Sequence, residues 1–388
     1  MQELSRKTQH FTDSVIRRMT RIALDCGAIN LAQGFPDFDP PKPLLDRLAQ
    51  VSYEGPHQYP ITMGAPNFRR ALAKKCGRFM GRTLDPETET VVTIGSTEAM
   101  VDTLFALTNP GDRIVLFSPY FENYRAQILF AGCEPVFVPL TPPSFLFDAD
   151  VLEDAFRQHP KAILICNPSN PSGKVFSEEE LKLIAGLCVK YDVYAIMDEV
   201  YEHICYAPHR HIYMNSMPGM WERTVSCSSL SKTYSITGWR LGYAIAPRHL
   251  MDKIKQYHDF NSVAAPAPLM EAAVAGLEMP DSYYEEFAAQ YAHSKALFTG
   301  GLRELGIPYT DPQGTYFVLA NIRPHLKKGQ TDTEFCEEMA RRVGVAAVPG
   351  TSFFMEDVQD IVRLHFAKTD GMLYQALERL GDLKRKMG

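Results

Sequence analysis

Three short stretches carry residue types that could share one chemistry. The first runs Ser228-Ser229-Leu230-Ser231-Lys232-Thr233-Tyr234-Ser235-Ile236-Thr237-Gly238-Trp239-Arg240, one lysine among small hydroxyl residues with an arginine eight positions on. The second is Asn167-Pro168-Ser169-Asn170-Pro171 and the third Asp198-Glu199-Val200-Tyr201. Each of these two follows an apolar β-type run, 162–166 and 193–197, and a third such run, 241–246, follows the arginine. Alone, a lysine among serines is an ordinary solvated residue. A lysine, a carboxylate, an amide and a phenol, all near strand ends, are together what a pyridoxal phosphate site needs.

Elements able to hold such residues run through the first two thirds of the chain. Residues 90–94, 113–117, 135–139, 161–166, 193–197, 223–227 and 241–246 read as short strands. Helical spacing appears at 11–26, 44–51, 65–80, 100–107 and 178–191; the last opens on Ser177 and Glu180, a capping-box pattern. Strands alternating with helices indicate an α/β fold, a mostly parallel sheet covered on both faces. Sites then gather at strand carboxyl ends, and Asn170, Asp198 and Lys232 all fall just after strands. From about residue 250 the pattern changes. Helices are expected at 248–260, 269–278, 283–305, 332–343 and 370–386, with strands at 315–320, 345–348 and 361–366, a smaller α+β domain. The expected division is an N-terminal segment 1–45, a large domain 46–285 and a small domain 286–388.

Gly95-Ser96-Thr97-Glu98-Ala99 sits between a strand and an apolar helix. A turn of this kind points free N–H groups and the positive end of the helix dipole at one spot. Ser96, Thr97 and Glu98 are therefore candidate phosphate-site residues, the plain alternative being a helix capped by Ser96 or Thr97. Residues 33–43, rich in Pro, Gly and Asp, read as an extended loop. His209 and His211 share a loop with no organised third ligand and read as solvated, so no metal site is expected.

The chain resembles the class I aminotransferases of fold type I, the aspartate aminotransferase fold. More narrowly, it is similar to the branch of kynurenine, glutamine–phenylpyruvate and bacterial methionine aminotransferases. The resemblance runs from about residue 10 to 380 and is carried by Asn30-Leu31-Ala32-Gln33-Gly34-Phe35-Pro36-Asp37-Phe38, by 167–174, 198–202, Pro218-Gly219-Met220-Trp221-Glu222-Arg223-Thr224 and the lysine stretch. It implies a mostly parallel seven-stranded sheet and pyridoxal 5'-phosphate as cofactor. Lys232 would link the cofactor and move the substrate's α-proton, Asp198 would face the ring nitrogen, and Asn170 and Tyr201 the ring's phenolic oxygen. Phe121 would stack on the ring, while Ser229 and Arg240 join Ser96 and Thr97 at the phosphate. Gly34 would let the backbone approach the substrate, beside Asn170, and Arg363 would bind its α-carboxylate. Tyr59 would reach across a homodimer interface to the neighbouring cofactor phosphate. One departure is 260–266, with alanines where the mammalian kynurenine enzymes carry an aromatic and a histidine, which implies a smaller, less polar pocket wall.

The bulk numbers narrow the function classes. The chain has 388 residues, enough for a large core, and 45% hydrophobic with 22% charged residues is ordinary for a globular protein. A net charge of −6 gives no sign of a nucleic-acid partner. Eight scattered cysteines without a CxxC pair fit a reducing compartment, hence a cytoplasmic location. Residues 1–13 have no apolar core of a signal peptide, and no run approaches the roughly 18 apolar residues of a membrane helix. The expected activity is transamination between a neutral, hydrophobic or aromatic L-amino acid (Met, Phe, Leu, Gln or kynurenine) and a 2-oxo acid. Two alternatives use the same residues: a lyase cleaving C–S bonds of cysteine conjugates, and an aspartate-type aminotransferase, which needs a second cation. A non-catalytic regulator would add a DNA-binding module, and here the fold fills the chain.

Overall fold

The computed structural model describes residues 6–8 and 13–387. A two-residue strand, β1 (Ile29–Asn30), precedes the central sheet, which is built from β2 (Thr90–Ile94), β3 (Arg113–Ser118), β4 (Glu134–Pro139), β5 (Ala162–Cys166), β6 (Tyr194–Asp198), β7 (Thr224–Ser229) and β8 (Leu241–Ile245). Their order is β2-β8-β7-β6-β5-β3-β4. Only β8 is antiparallel to its neighbours, so the sheet is mostly parallel and seven-stranded. All five residues of β5 are buried, as a strand covered on both faces requires. On one face lie the helices Gly95–Leu107 and Arg248–Asn261, which pack together. On the other, Glu178–Tyr191 packs with the helix Val15–Cys26 into a core shared with the C-terminal third.

The C-terminal part adds β9 (Tyr309–Thr310), β10 (Phe317–Asn321), β11 (Val345–Ala346), β12 (Val348–Pro349) and β13 (Ile361–His365). Four of them form an antiparallel sheet, β12-β13-β10-β9, while β11 pairs in parallel with β1. The expected single strand 345–348 is thus two, because the chain leaves one partner, β1, for another, β13, around Ala347. Residues 332–343 are an α-helix, Asp332–Glu338, that widens into a π-turn, Met339–Val343, and stops at Gly344 in the left-handed region (φ 85). The last helix breaks into Asp370–Gly381 and Leu383–Met387. The capping box of Ser177 and Glu180 is present. Of the helix expected over 11–26, the structure has Val15–Cys26; Phe11 and Thr12 lie outside the described residues.

The helix expected at 100–107 begins at Gly95, so the turn read before it is its first turn. Ile94 is the cap, with no side-chain capping bond, and neither Ser96 nor Thr97 caps. Instead the Glu98 carboxylate accepts from the Ile94 N–H. The hydroxyls of Ser96 and Thr97 are thereby spared for the cavity in front of the helix.

Candidate active site

Strand topology brings the chemistry to one edge. Asp198 ends β6, Ser229 ends β7, Ser96 follows β2, Phe121 follows β3 and Asn170 follows β5. Because β8 runs the other way, Arg240, just before it, lies at the same edge. Gly34, Ser96, Thr97, Phe121, Asn170, Asp198, Tyr201, Ser229, Lys232, Arg240 and Arg363 all line one cavity of about 240 Å3. Two expected residues do not. Tyr59 is 84% exposed on the surface, and the Glu98 carboxylate is turned away, toward Ile94 N and His258. The segment 260–266 does not line the cavity of its own chain either, and Phe260, near the end of the helix Arg248–Asn261, is 93% exposed.

Lys232 lies in the one-turn helix Leu230–Thr233 that Ser229 caps by accepting from Ser231 N–H. Its Nζ donates to the Gly34 carbonyl oxygen at 3.1 Å, an oxygen that also accepts from the Tyr316 hydroxyl at 2.8 Å. Gly34 is required by its neighbours in this chain: an added Cβ would sit 2.5 Å from Phe317 Cζ. The Asp198 carboxylate is buried and takes two hydrogen bonds, from Tyr124 Oη at 2.6 Å and Val200 N–H at 3.2 Å. Burial raises its pKa to about 6, against the pull of those two bonds and of Lys232. It is therefore mostly ionised at neutral pH. Phe121 meets Tyr124 edge to face at 5.7 Å. Tyr201, also buried, stands edge-on to the rings of Tyr316 and Phe317.

Arg363 is 1% exposed, on the inner strand β13. One arm of its fork, Nη1, donates to Asn170 Oδ1 at 2.7 Å and the other, Nη2, to the Ala32 carbonyl at 2.8 Å. The rings of Phe317 and Phe353 lie 4.1 and 4.6 Å from the guanidinium centre. Burial lowers its pKa to about 10, so it stays charged. Its Nε is buried without a hydrogen-bond partner, an unpaired donor on a cation facing a cavity.

Several residues outside the sequence expectations complete the site. Tyr124 is three residues past Phe121 on the helix Glu122–Phe130, so one helical turn was the available signal. Ser231 and Thr237 line the cavity from within the lysine stretch, and the buried Ser231 hydroxyl has no partner. Arg17, Ser14 and Glu122 also line the cavity, the last two joined by a hydrogen bond. The side chain of His211, expected to be solvated, is tucked beside Glu199, 4% exposed, with Nε2 3.4 Å from the carboxylate. The loop folds back under the strand-end motif, a placement its local sequence does not signal.

The residues present fit pyridoxal phosphate. Gly95 has φ +74, and a Cβ there would collide with the Arg240 guanidinium, so the arginine lies close against a helix N-terminus. Gly242 repeats the point, since a Cβ on it would strike the Gly95–Ser96 backbone. Arg240, the Ser96–Thr97 turn and the unpartnered Ser231 hydroxyl form a cradle suited to an anion. Beyond it lie an amine, an ionised carboxylate and an aromatic face.

Comparison with known proteins agrees with this arrangement. The family model for class I and II aminotransferases matches residues 27–380. A probable N-succinyldiaminopimelate aminotransferase of Mycobacterium tuberculosis is 35% identical over 389 residues, with 97% of each chain covered. A kynurenine–oxoglutarate transaminase of Dictyostelium discoideum is 32% identical, over 98% of this chain and 96% of the relative. A solved Escherichia coli structure, reported with a methionine aminotransferase function, superposes with a TM-score of 0.93 at 30% identity, covering 99% of this chain and 100% of that one. With this match over nearly its whole length, the chain belongs to the class I and II aminotransferases, enzymes that use pyridoxal phosphate.

Proposed function

We propose that this aminotransferase takes its amino group from a neutral, hydrophobic or aromatic L-amino acid and passes it to a 2-oxo acid. The observation that carries the reading is the wall around Arg363: one buried, incompletely paired guanidinium set among Ile16, Phe121, Val200, Tyr201 and Phe317. Arg363 would take the α-carboxylate on its fork, and the apolar wall would take the side chain. Measured half-reaction spectra of the holoenzyme with each of twenty amino acids test this. Methionine, phenylalanine, leucine, glutamine or kynurenine should bleach the cofactor band fastest. Aspartate fastest, or pyruvate and ammonia released from a cysteine conjugate without an oxo acid, would overturn it.

Bound pyridoxal phosphate would supply an aldehyde carbon that takes up the amino group and a protonated ring that withdraws electrons from the substrate's α-carbon. Asp198 holds the proton on the ring nitrogen as a carboxylate steadied by Tyr124 and Val200. Asn170, its Oδ1 already engaged by Arg363, offers its amide N–H, and Tyr201 its hydroxyl, to the ring's phenolic oxygen. Lys232 Nζ would remove the substrate's α-proton as base and return a proton two bonds away as acid. Ser96, Thr97, Ser229 and Arg240 hold the phosphate, with Glu98 setting the helix start rather than touching the ligand.

We further propose a homodimer in which Tyr59 enters the neighbouring site. In support, Tyr59, Ile61, Phe260 and Val263 are exposed apolar residues, 84, 56, 93 and 59%. The division into 1–45, 46–285 and 286–388 has support in the pairing of β1 with β11, which joins the first segment to the last. No helix among the described residues is long and apolar enough to cross a membrane, and all eight cysteines are free, which favours a cytoplasmic setting.

A further inference from the structure

His258 is fully buried on the helix Arg248–Asn261. Its Nδ1 lies 2.9 Å from Asp102 Oδ2 and 3.7 Å from a Glu98 oxygen, and its Nε2 lies 3.1 Å from the Thr62 carbonyl oxygen. Asn261 Nδ2 donates to the second Asp102 oxygen at 2.9 Å, and Glu98 accepts from Ile94 N–H. A carbonyl only accepts, so Nε2 carries a proton. The carboxylate opposite Nδ1 is an acceptor too, so Nδ1 carries the second. His258 is then an imidazolium whose Nδ1 side faces two carboxylates and whose Nε2 faces a backbone carbonyl. Burial opposes that charge, but the Asp102 hydrogen bond and the charges of Asp102 and Glu98, with the Thr62 carbonyl, outweigh it and raise the pKa above its usual value.

The position matters because Glu98 and Asp102 are consecutive-turn residues of the helix whose first turn presents Ser96 and Thr97 to the cavity. Two bare carboxylates there would oppose an anion at the helix N-terminus. Thr62 belongs to the segment carrying Tyr59, and its neighbour Met63 accepts from Val92 N–H of β2 at 3.1 Å. We infer that His258 is a positioning residue for the cofactor: as an imidazolium it offsets one of the two carboxylate charges behind the phosphate cradle and ties the Tyr59 segment to that helix. Losing one proton leaves either Asp102 or Thr62 facing an unprotonated nitrogen and adds one net negative charge behind the cradle. Phosphate affinity is therefore full at low pH and falls as pH rises through the raised value. The groups facing the ring are Asp102 and Glu98 from one helix and the Thr62 carbonyl from the other segment; Asn261 acts through Asp102.

The inference rests on Ser96, Thr97 and Arg240 holding the phosphate, and the test separates the two. Dissociation constants of the apo-protein for pyridoxal phosphate and for pyridoxal are measured between pH 7 and 10; their ratio isolates the phosphate, which above pH 7 is mainly dianionic. The ratio should weaken about five- to tenfold across that range in the native protein. In His258→Gln it should be flat, at the native high-pH value. A flat native profile, or the same slope in His258→Gln, overturns the proposal. Arg240→Gln leaving the ratio unchanged overturns the phosphate assignment itself. Should His258→Gln not fold, nitrogen-15 spectra of histidine-labelled holoenzyme decide: both ring nitrogens of His258 protonated at pH 7 supports the inference, and a neutral ring refutes it. Stoichiometric divalent metal in the purified holoenzyme, lost with phosphate affinity on chelation, would also refute it, since the three side chains could then be ligands.

Discussion

Arg363 Nη1 meets Asn170 Oδ1 at 2.7 Å across 193 residues of sequence, joining the inner strand of the C-terminal sheet to the loop after β5. The fork proposed to bind the substrate carboxylate and the amide proposed to face the cofactor ring are therefore set by one contact. On that proposal, a substrate that pairs with Arg363 would be registered against the ring through Asn170.

Arg363→Lys keeps the charge and loses the fork. A charge-assisted bidentate pair is worth about 1.5–3 kcal/mol, so kcat/KM should fall roughly 10- to 100-fold. Methionine, phenylalanine and glutamine should lose by similar factors, because all share the α-carboxylate. Kinetics with these three donors check it; a loss that depends strongly on the side chain contradicts the pose.

Tyr124→Phe removes the 2.6 Å donor to Asp198. That hydrogen bond holds the Asp198 pKa down against burial, so its loss moves a value of about 6 higher. In the apo-protein the ionised form then predominates only at higher pH, and the acid limb of its pyridoxal phosphate affinity should move up by roughly 0.5–1 unit. The native limb unchanged in this variant would contradict the role given to Tyr124.

Gly95→Ala puts a Cβ into the Arg240 guanidinium at a backbone angle of φ +74. Strain of about 1–3 kcal/mol and a displaced arginine should weaken pyridoxal phosphate binding tenfold or more. Binding of pyridoxal, which has no phosphate, should change far less. Equal losses for both would show a general disturbance of the fold.

Much of the site was legible because apolar runs locate strands and strand ends locate sites. Asn170, Asp198 and Lys232 each follow such a run, and Arg363 stands out as a cation inside an alternating strand. What escaped depends on long-range packing. Nothing near Glu98 signals that a histidine 160 positions on turns its carboxylate from the cavity. Lys75 and Glu202, 127 residues apart, form a buried ion pair at 2.5 Å that local pattern cannot reveal. Glu202 also accepts from the Tyr213 and Tyr243 hydroxyls, at 2.7 and 3.2 Å. The loop bearing His211 likewise reads as solvent-facing until the Glu199 carboxylate beneath it is seen.

That buried pair gives a stability prediction. Lys75→Met leaves the Glu202 carboxylate without its cation, a change that costs about 3–5 kcal/mol. The urea midpoint of the variant should drop clearly, and Lys75→Met with Glu202→Gln should recover part of the loss. A double variant no better than the single one would contradict a pairing penalty.

The central claim is that Lys232 is the amine that holds the cofactor at the carboxyl edge of the sheet. Borohydride reduction of the holoenzyme, followed by proteolysis and peptide mapping, tests it directly. The account predicts one pyridoxyl label per chain, on Lys232, and none in Lys232→Ala. A label on any other lysine would contradict it.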